Sequence, residues 1–237
     1  MAISEHQEQW ISEQSFQQVI RQYRGAILPS THPAVRHAER IARRIISALD
    51  SGLVSNDTKW RIFVIDSPTA NAFVLPSGDI FVFTGIFPMA QTEAGLAAIL
   101  GHEIAHKIAR HGAEKMSFYQ FFSLASTLLQ IFVTGELSSP LSGILQNLFL
   151  FLPFSRKCER EADRMGLMLM AKACYDPREA IGLWERMQKM SGGKEVSAFM
   201  STHPSHYDRI ESIKEWLEEA DRIYEAAGCH EQRGFFR

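Results

Sequence analysis

The chain has 237 residues, 46% of them hydrophobic, which is ample for a buried core in one large domain. A formal charge of -2 gives no global reason to bind nucleic acid or an anionic membrane, so neither partner is expected on charge alone. Three cysteines, Cys158, Cys174 and Cys229, are odd in number and too sparse for a disulfide framework, and buried or free thiols are expected.

The N-terminus, Met1-Ala2-Ile3-Ser4-Glu5-His6, has neither the order of a signal peptide nor the Arg-rich composition of a transit peptide. The protein either needs no such address or is a trimmed piece, and residues up to about 24 read as an N-terminal extension. From Pro33 to Leu49 the residues Val35, Ala38, Ile41, Ala42, Ile45, Ile46 and Leu49 keep helical spacing. Arg36, Arg40, Arg43 and Arg44 fill the other faces of that helix, which reads as a solvated face.

Between Trp60 and Thr84 the pattern changes to short branched and aromatic runs, Arg61 to Asp66 and Asp79 to Phe83, separated by Pro68, Pro76, Ser77 and Gly78. Asn71 to Leu75 is expected as a further short strand, and at a sheet edge it would offer free backbone groups to an extended peptide. From Thr92 onward the chain reads as helical, with segments near 92–112, 114–133, 141–152, 156–173, 177–190 and 205–227. A small sheet followed by many helices predicts an α+β fold, mostly helical, with an antiparallel or mixed sheet.

Met116 to Ser155 carries one charged residue, Glu136, and reads as an uncharged helical hairpin about Gly135 and Pro140. Polar residues such as Gln120, Ser126, Gln130, Gln146 and Asn147 dilute it. Three readings stand: a hairpin packed in the core or in a homo-oligomer interface, an interfacial membrane contact, or a two-helix insertion.

The residues with the clearest chemistry are His102-Glu103-Ile104-Ala105-His106, set in the helical run Ala94, Ala97, Ala98, Leu100, Ile104, Ala105, Ile108. Histidines four apart project from one side of a helix and suit one metal ion, for which imidazole is a good ligand when the ion is zinc. Glu103, rotated by about 100° from His102, reaches a water on the metal and not the metal itself, the position of a general base. A catalytic zinc takes three protein ligands, so a third must come from another element. In Cys158-Glu159-Arg160-Glu161-Ala162-Asp163, Glu159 and Asp163 flank the buried face, whereas Glu161 falls among charged residues. Glu159 is therefore the expected ligand, with Asp163 one turn on to accept a ring N–H from a ligating histidine. His111 lies about 140° beyond His106 and is assigned to the surface or to the helix end.

The first motif, with Ser155-Arg156-Lys157-Cys158-Glu159-Arg160-Glu161-Ala162-Asp163 further on, resembles the zinc peptidases of the HtpX, CAAX-prenyl-protease and Oma type. Agreement extends to Asn71 to Pro76, Phe81 to Gly85, Ala109 to Lys115 and Ser201 to Ser205, and it is closest to the Oma branch of mitochondrial inner-membrane quality-control endopeptidases. The length of the chain leads to the expectation of a single domain over 1–237. The resemblance, over roughly residues 25 to 220, implies a gluzincin-like fold, Zn2+ on His102, His106 and Glu159, and Glu103 in catalysis. It also implies that His203, in its His-Pro motif, sits over the metal and either blocks the site at rest or stabilises the oxyanion. Arg209 is left between polarising a substrate carbonyl and making a solvent salt bridge. The implied substrate is an unfolded or membrane-associated polypeptide. Two alternatives are a catalytically latent metal-binding chaperone and a membrane-surface interaction module built on 116–155.

Overall fold

In the computed structural model, which describes residues 4–52, 58–115, 117, 141–190, 199, 203 and 209–229, with the side chains of 141–155 excepted, the chain opens with helix α1 (Glu5–Gln22). Ser4 starts it through a capping box, its hydroxyl accepting from Gln7 N while the Gln7 side chain accepts from Ser4 N. Phe16, Val19, Ile20 and Tyr23 recur at helical spacing and pack on the sheet, so the residues expected as an extension are part of the fold.

Helix α2 (Pro33–Ser47) has His32 as its N-cap and Pro33 at its first turn, and it buries Val35, Ala38, Ile41, Ala42 and Ile45. Three of its four arginines are engaged: Arg40 pairs with Glu93, Arg43 with Glu39, and Arg44 lies over the Tyr175 ring. Strands β1 (Arg61–Ile65), β2 (Ala72–Val74) and β3 (Asp79–Phe83) form one mixed sheet in the order β1-β3-β2. β1 runs parallel to β3, and β2 is antiparallel to it across the turn at Gly78, whose φ of 97° suits glycine. Side chains of β3 alternate between two cores: Ile80 and Val82 face the helical core, and Phe81 and Phe83 face an aromatic layer with Phe63, Phe73 and α1.

After the short helix α3 (Phe87–Ala90), helix α4 (Glu93–Ile108) is capped by Thr92 and runs through the centre of the molecule. Helix α5 (Leu141–Lys172) crosses it, followed by α6 (Glu179–Met190) and α7 (Arg209–Ala226). The α4–α5 crossing is close because two glycines meet there. A Cβ on Gly166 would stand 2.7 Å from His102 N, and one on Gly101 would stand 2.9 Å from Gly166 O.

Three expectations change. Segments 141–152 and 156–173 are one continuous helix, not two. Cys174 and Cys229 form a disulfide, and only Cys158 is a free, buried thiol. Sparse spacing concealed that pair, because the bond is made where the chain leaves α5 and where it leaves α7, which the fold brings together. The hairpin reading of 116–155, with its membrane and oligomer alternatives, falls mainly outside the described residues; among those, no helix is long and apolar enough to cross a membrane.

Candidate metal centre

Helix α4 places His102 and His106 one turn apart, and the glycine contact with α5 lets Glu159 come against both of them. His102 Nε2 lies 3.1 Å from His106 Nε2 and 3.3 Å from Glu159 Oε2, and His106 Nε2 lies 3.4 Å from Glu159 Oε1. His203 Nδ1 completes the group, 3.1 Å from His102 Nε2 and 3.1 Å from Glu159 Oε2. The four donor atoms lie within 4.8 Å of one another. A tetrahedral ion with bonds of about 2.0–2.2 Å holds its donors roughly 3.3–3.6 Å apart. The spacing and the three-imidazole, one-carboxylate chemistry therefore fit a metal ion.

Behind this group Asp163 Oδ1 stands 3.0 Å from His102 Nδ1, one turn along α5 from Glu159. Arg209, on α7, is buried, and its Nη2 donates to Asp163 Oδ1 at 2.5 Å. Its guanidinium lies 3.4 Å from the centre of the Trp184 ring. The solvent bridge expected of Arg209 is not made: the side chain is buried beside Asp163 and Glu159, and its Nη1 has no hydrogen-bond partner. Phe199 is buried and stacks on His203 at 4.6 Å.

Glu103, next to His102 on α4, is buried, and its Oε1 has no hydrogen-bond partner, although His203 Nε2 stands 3.2 Å away in poor geometry. Burial raises the Glu103 pKa above its ordinary value. Burial also opposes charge on His102, but hydrogen bonds to Asp163 and Glu159 outweigh it and raise its pKa to about 9. Burial dominates at His106, pulled down to about 3. Burial works against the Glu159 charge as well, yet contacts with His102, His106 and His203 hold its pKa far below the carboxylate range. Asp163 is also lowered: burial is outweighed there by the charge of Arg209 and the bond to His102.

The residues named from sequence thus fall into one group: His102, His106 and Glu159 converge, Glu103 adjoins them, and His203 sits among them. Glu161 does not join; it is half-exposed on the outer side of α5. His111 was misplaced. It is buried, with Nδ1 2.9 Å from His106 Nδ1. The angular argument assumed a continuing helix, but α4 ends at Ile108 and Arg110 takes a left-handed φ of 55°, which turns His111 back towards His106. Glu8 of α1 holds that turn, accepting from Arg110 Nη2 at 2.5 Å. Trp184 and Phe199 carried no sequence signal, being apolar residues at ordinary core positions.

Residues 35–217 match the model of peptidase family M48. The mitochondrial metalloendopeptidase OMA1 of Schizosaccharomyces pombe is 47% identical over 227 residues, covering 95% of this chain and 65% of that protein. The Saccharomyces cerevisiae protein of the same name is 39% identical, covering 96% of this chain and 68% of its own length. The human metalloendopeptidase OMA1, mitochondrial, is 38% identical over 184 residues, 72% of this chain and 34% of that protein. The chain therefore spans about two thirds of the fungal relatives and a third of the human one. By the length of the family match and by its identity to the yeast relatives, the chain belongs to peptidase family M48.

Proposed function

We propose that the chain is a zinc-dependent metalloendopeptidase that hydrolyses peptide bonds in unfolded or membrane-associated proteins, in mitochondrial protein quality control. The observation that carries the reading is Glu103, a buried carboxylate with an unpartnered oxygen beside a convergent set of metal donors. The names of the relatives support the reaction and the compartment. Association with the inner membrane draws on the uncharged stretch 116–155.

In this reading His102, His106 and Glu159 hold the metal, and Asp163 fixes the His102 ring by accepting from its Nδ1. Zinc, when bound, supplies Lewis-acid chemistry, polarising the scissile carbonyl and acidifying water. Glu103 takes the proton of the attacking water at its carboxylate and returns it to the leaving amine. Burial favours both steps, since a raised pKa makes the carboxylate a better base and holds the proton until the amine departs. An extended substrate pairs with β2, which lies at an edge of the sheet and packs against α4, the helix that carries Glu103.

A second reading, of a resting site, is favoured by His203, whose Nδ1 lies within the donor set and whose Nε2 faces Glu103. In that arrangement His203 fills the position a substrate carbonyl needs, and it withdraws before turnover. Both readings are tested by zinc analysis and degradation of an unfolded protein. Wild type is expected to hold one zinc, and Glu103→Gln to keep the metal while losing about 10²–10⁴-fold in rate. His203→Ala is expected to cleave faster than wild type. Equal degradation by wild type and Glu103→Gln would end the catalytic reading, and a slower His203→Ala would end the resting one.

A further inference from the structure

We propose that His111 is a positioning residue for His106: its Nδ1 accepts the Nδ1–H of His106, and its own Nε2–H points outward to Glu161. The inference rests on the metal-site reading above and concerns how the second ligand histidine is held.

The proton placement follows from one constraint. His106 Nε2 faces the donor set, 3.1 Å from His102 Nε2 and 3.4 Å from Glu159 Oε1, and it must be bare to bind an ion. A neutral imidazole then carries its proton on Nδ1. Two imidazole nitrogens 2.9 Å apart share a single proton, so His106 donates and His111 Nδ1 accepts. The His111 proton is thereby forced onto Nε2, which is buried and has no hydrogen-bond partner. The nearest carboxylate to it is Glu161 Oε2, at 3.5 Å, on a side chain 48% exposed. A small swing of that flexible chain closes the contact.

The two ligand histidines are thus held in different ways. His102 leans on a buried carboxylate, Asp163, whereas His106 leans on a neutral ring whose carboxylate lies one residue further out, at the surface. The device depends on the turn at Arg110, pinned by Glu8, since a helix continued past Ile108 would carry His111 away.

A competing use of His111, as a metal ligand through Nε2, is disfavoured by the same protons. His111, Glu114 and Cys158 also offer donor atoms within 4.8 Å of one another, the geometry of a second metal site. An ion on His111 Nε2 would move the His111 proton to Nδ1, where it would face the His106 N–H at 2.9 Å. Two donors would then oppose each other.

The test compares His111→Asn, whose carbonyl oxygen replaces Nδ1, with His111→Leu, which keeps bulk without an acceptor, and His111→Gln, whose carbonyl sits out at the Nε2 position. Zinc content and zinc affinity are measured against a chromophoric chelator, together with the visible spectrum of the cobalt-substituted protein and the melting of the metal-free forms. His111→Leu and His111→Gln are expected to lose about 10- to 100-fold in zinc affinity and to alter the cobalt spectrum. His111→Asn is expected to stay within a few-fold of wild type, with metal-free melting unchanged. If His111→Leu fails to fold, the contrast between Asn and Gln decides alone. Zinc-binding wild type with His111→Asn no better than His111→Gln overturns the positioning role and leaves the metal site standing. A second equivalent of zinc lost in both His111→Leu and Cys158→Ser overturns it in favour of the second site. Wild type without zinc overturns the metal-site reading itself.

Discussion

His102 lies between two carboxylates, Asp163 at Nδ1 and Glu159 at Nε2, and its pKa is raised to about 9 although burial alone would lower it. At neutral pH the metal-free ring therefore carries both protons, and the one on Nε2 stands where an ion would sit. Zinc binding at pH 7 is expected to release about one proton. Calorimetry in buffers of different ionisation enthalpy measures this directly, and a binding enthalpy independent of buffer would contradict it. The sign for stability is fixed by the same shift. A folded pKa raised above 6.5 contributes stability that is full below pH 6.5 and is lost as the pH rises through about 9. Metal-free protein is therefore expected to melt at a lower temperature at pH 9 than at pH 6.5, and the zinc-loaded protein to show a smaller drop.

At the scale of elements, the centre depends on how closely α4 and α5 approach. A Cβ on Gly166 would lie 2.7 Å from backbone nitrogen of His102, where no flexible side chain can yield. Gly166→Ala is expected to cost about 1–3 kcal/mol in stability and to weaken metal binding by moving Glu159 away from the histidines. Denaturant unfolding and metal titration check the two effects, and a variant equal to wild type in both would show that the helices are free to separate. The sequence already held much of this centre. Fourfold spacing set His102 and His106 on one side of α4, and the helical phase of α5 separated Glu159 from Glu161. Both follow from local periodicity. What stayed hidden is what periodicity does not encode: the left-handed Arg110 that turns His111 inward, and the docking of α7 that buries Arg209 against Asp163. Helix α1 was overlooked for another reason, since the capping residues Ser4 and Gln7 were present but its apolar stripe is thinned by glutamines.

Across the whole molecule, the Cys174–Cys229 bond joins the end of α5 to the end of α7, closing a loop with a sequence separation of 55. Reduction, or Cys229→Ala, is expected to lower stability by about 2–4 kcal/mol, seen as an earlier unfolding midpoint. Identical midpoints with and without reductant would argue that the bond does not form in solution. Donors at the centre are as far apart as His102 and His203, 101 positions along the chain. A growing chain exposes its histidine pair first, Glu159 and Asp163 next, and His203 and Arg209 last. Until α7 arrives, Asp163 has no guanidinium beside it, and closing α4 on α5 would bury a carboxylate without that partner. The centre is thus completed only once Arg209 has been made, and because Cys229 follows every residue in it, oxidation of that cysteine comes after the whole centre has been made.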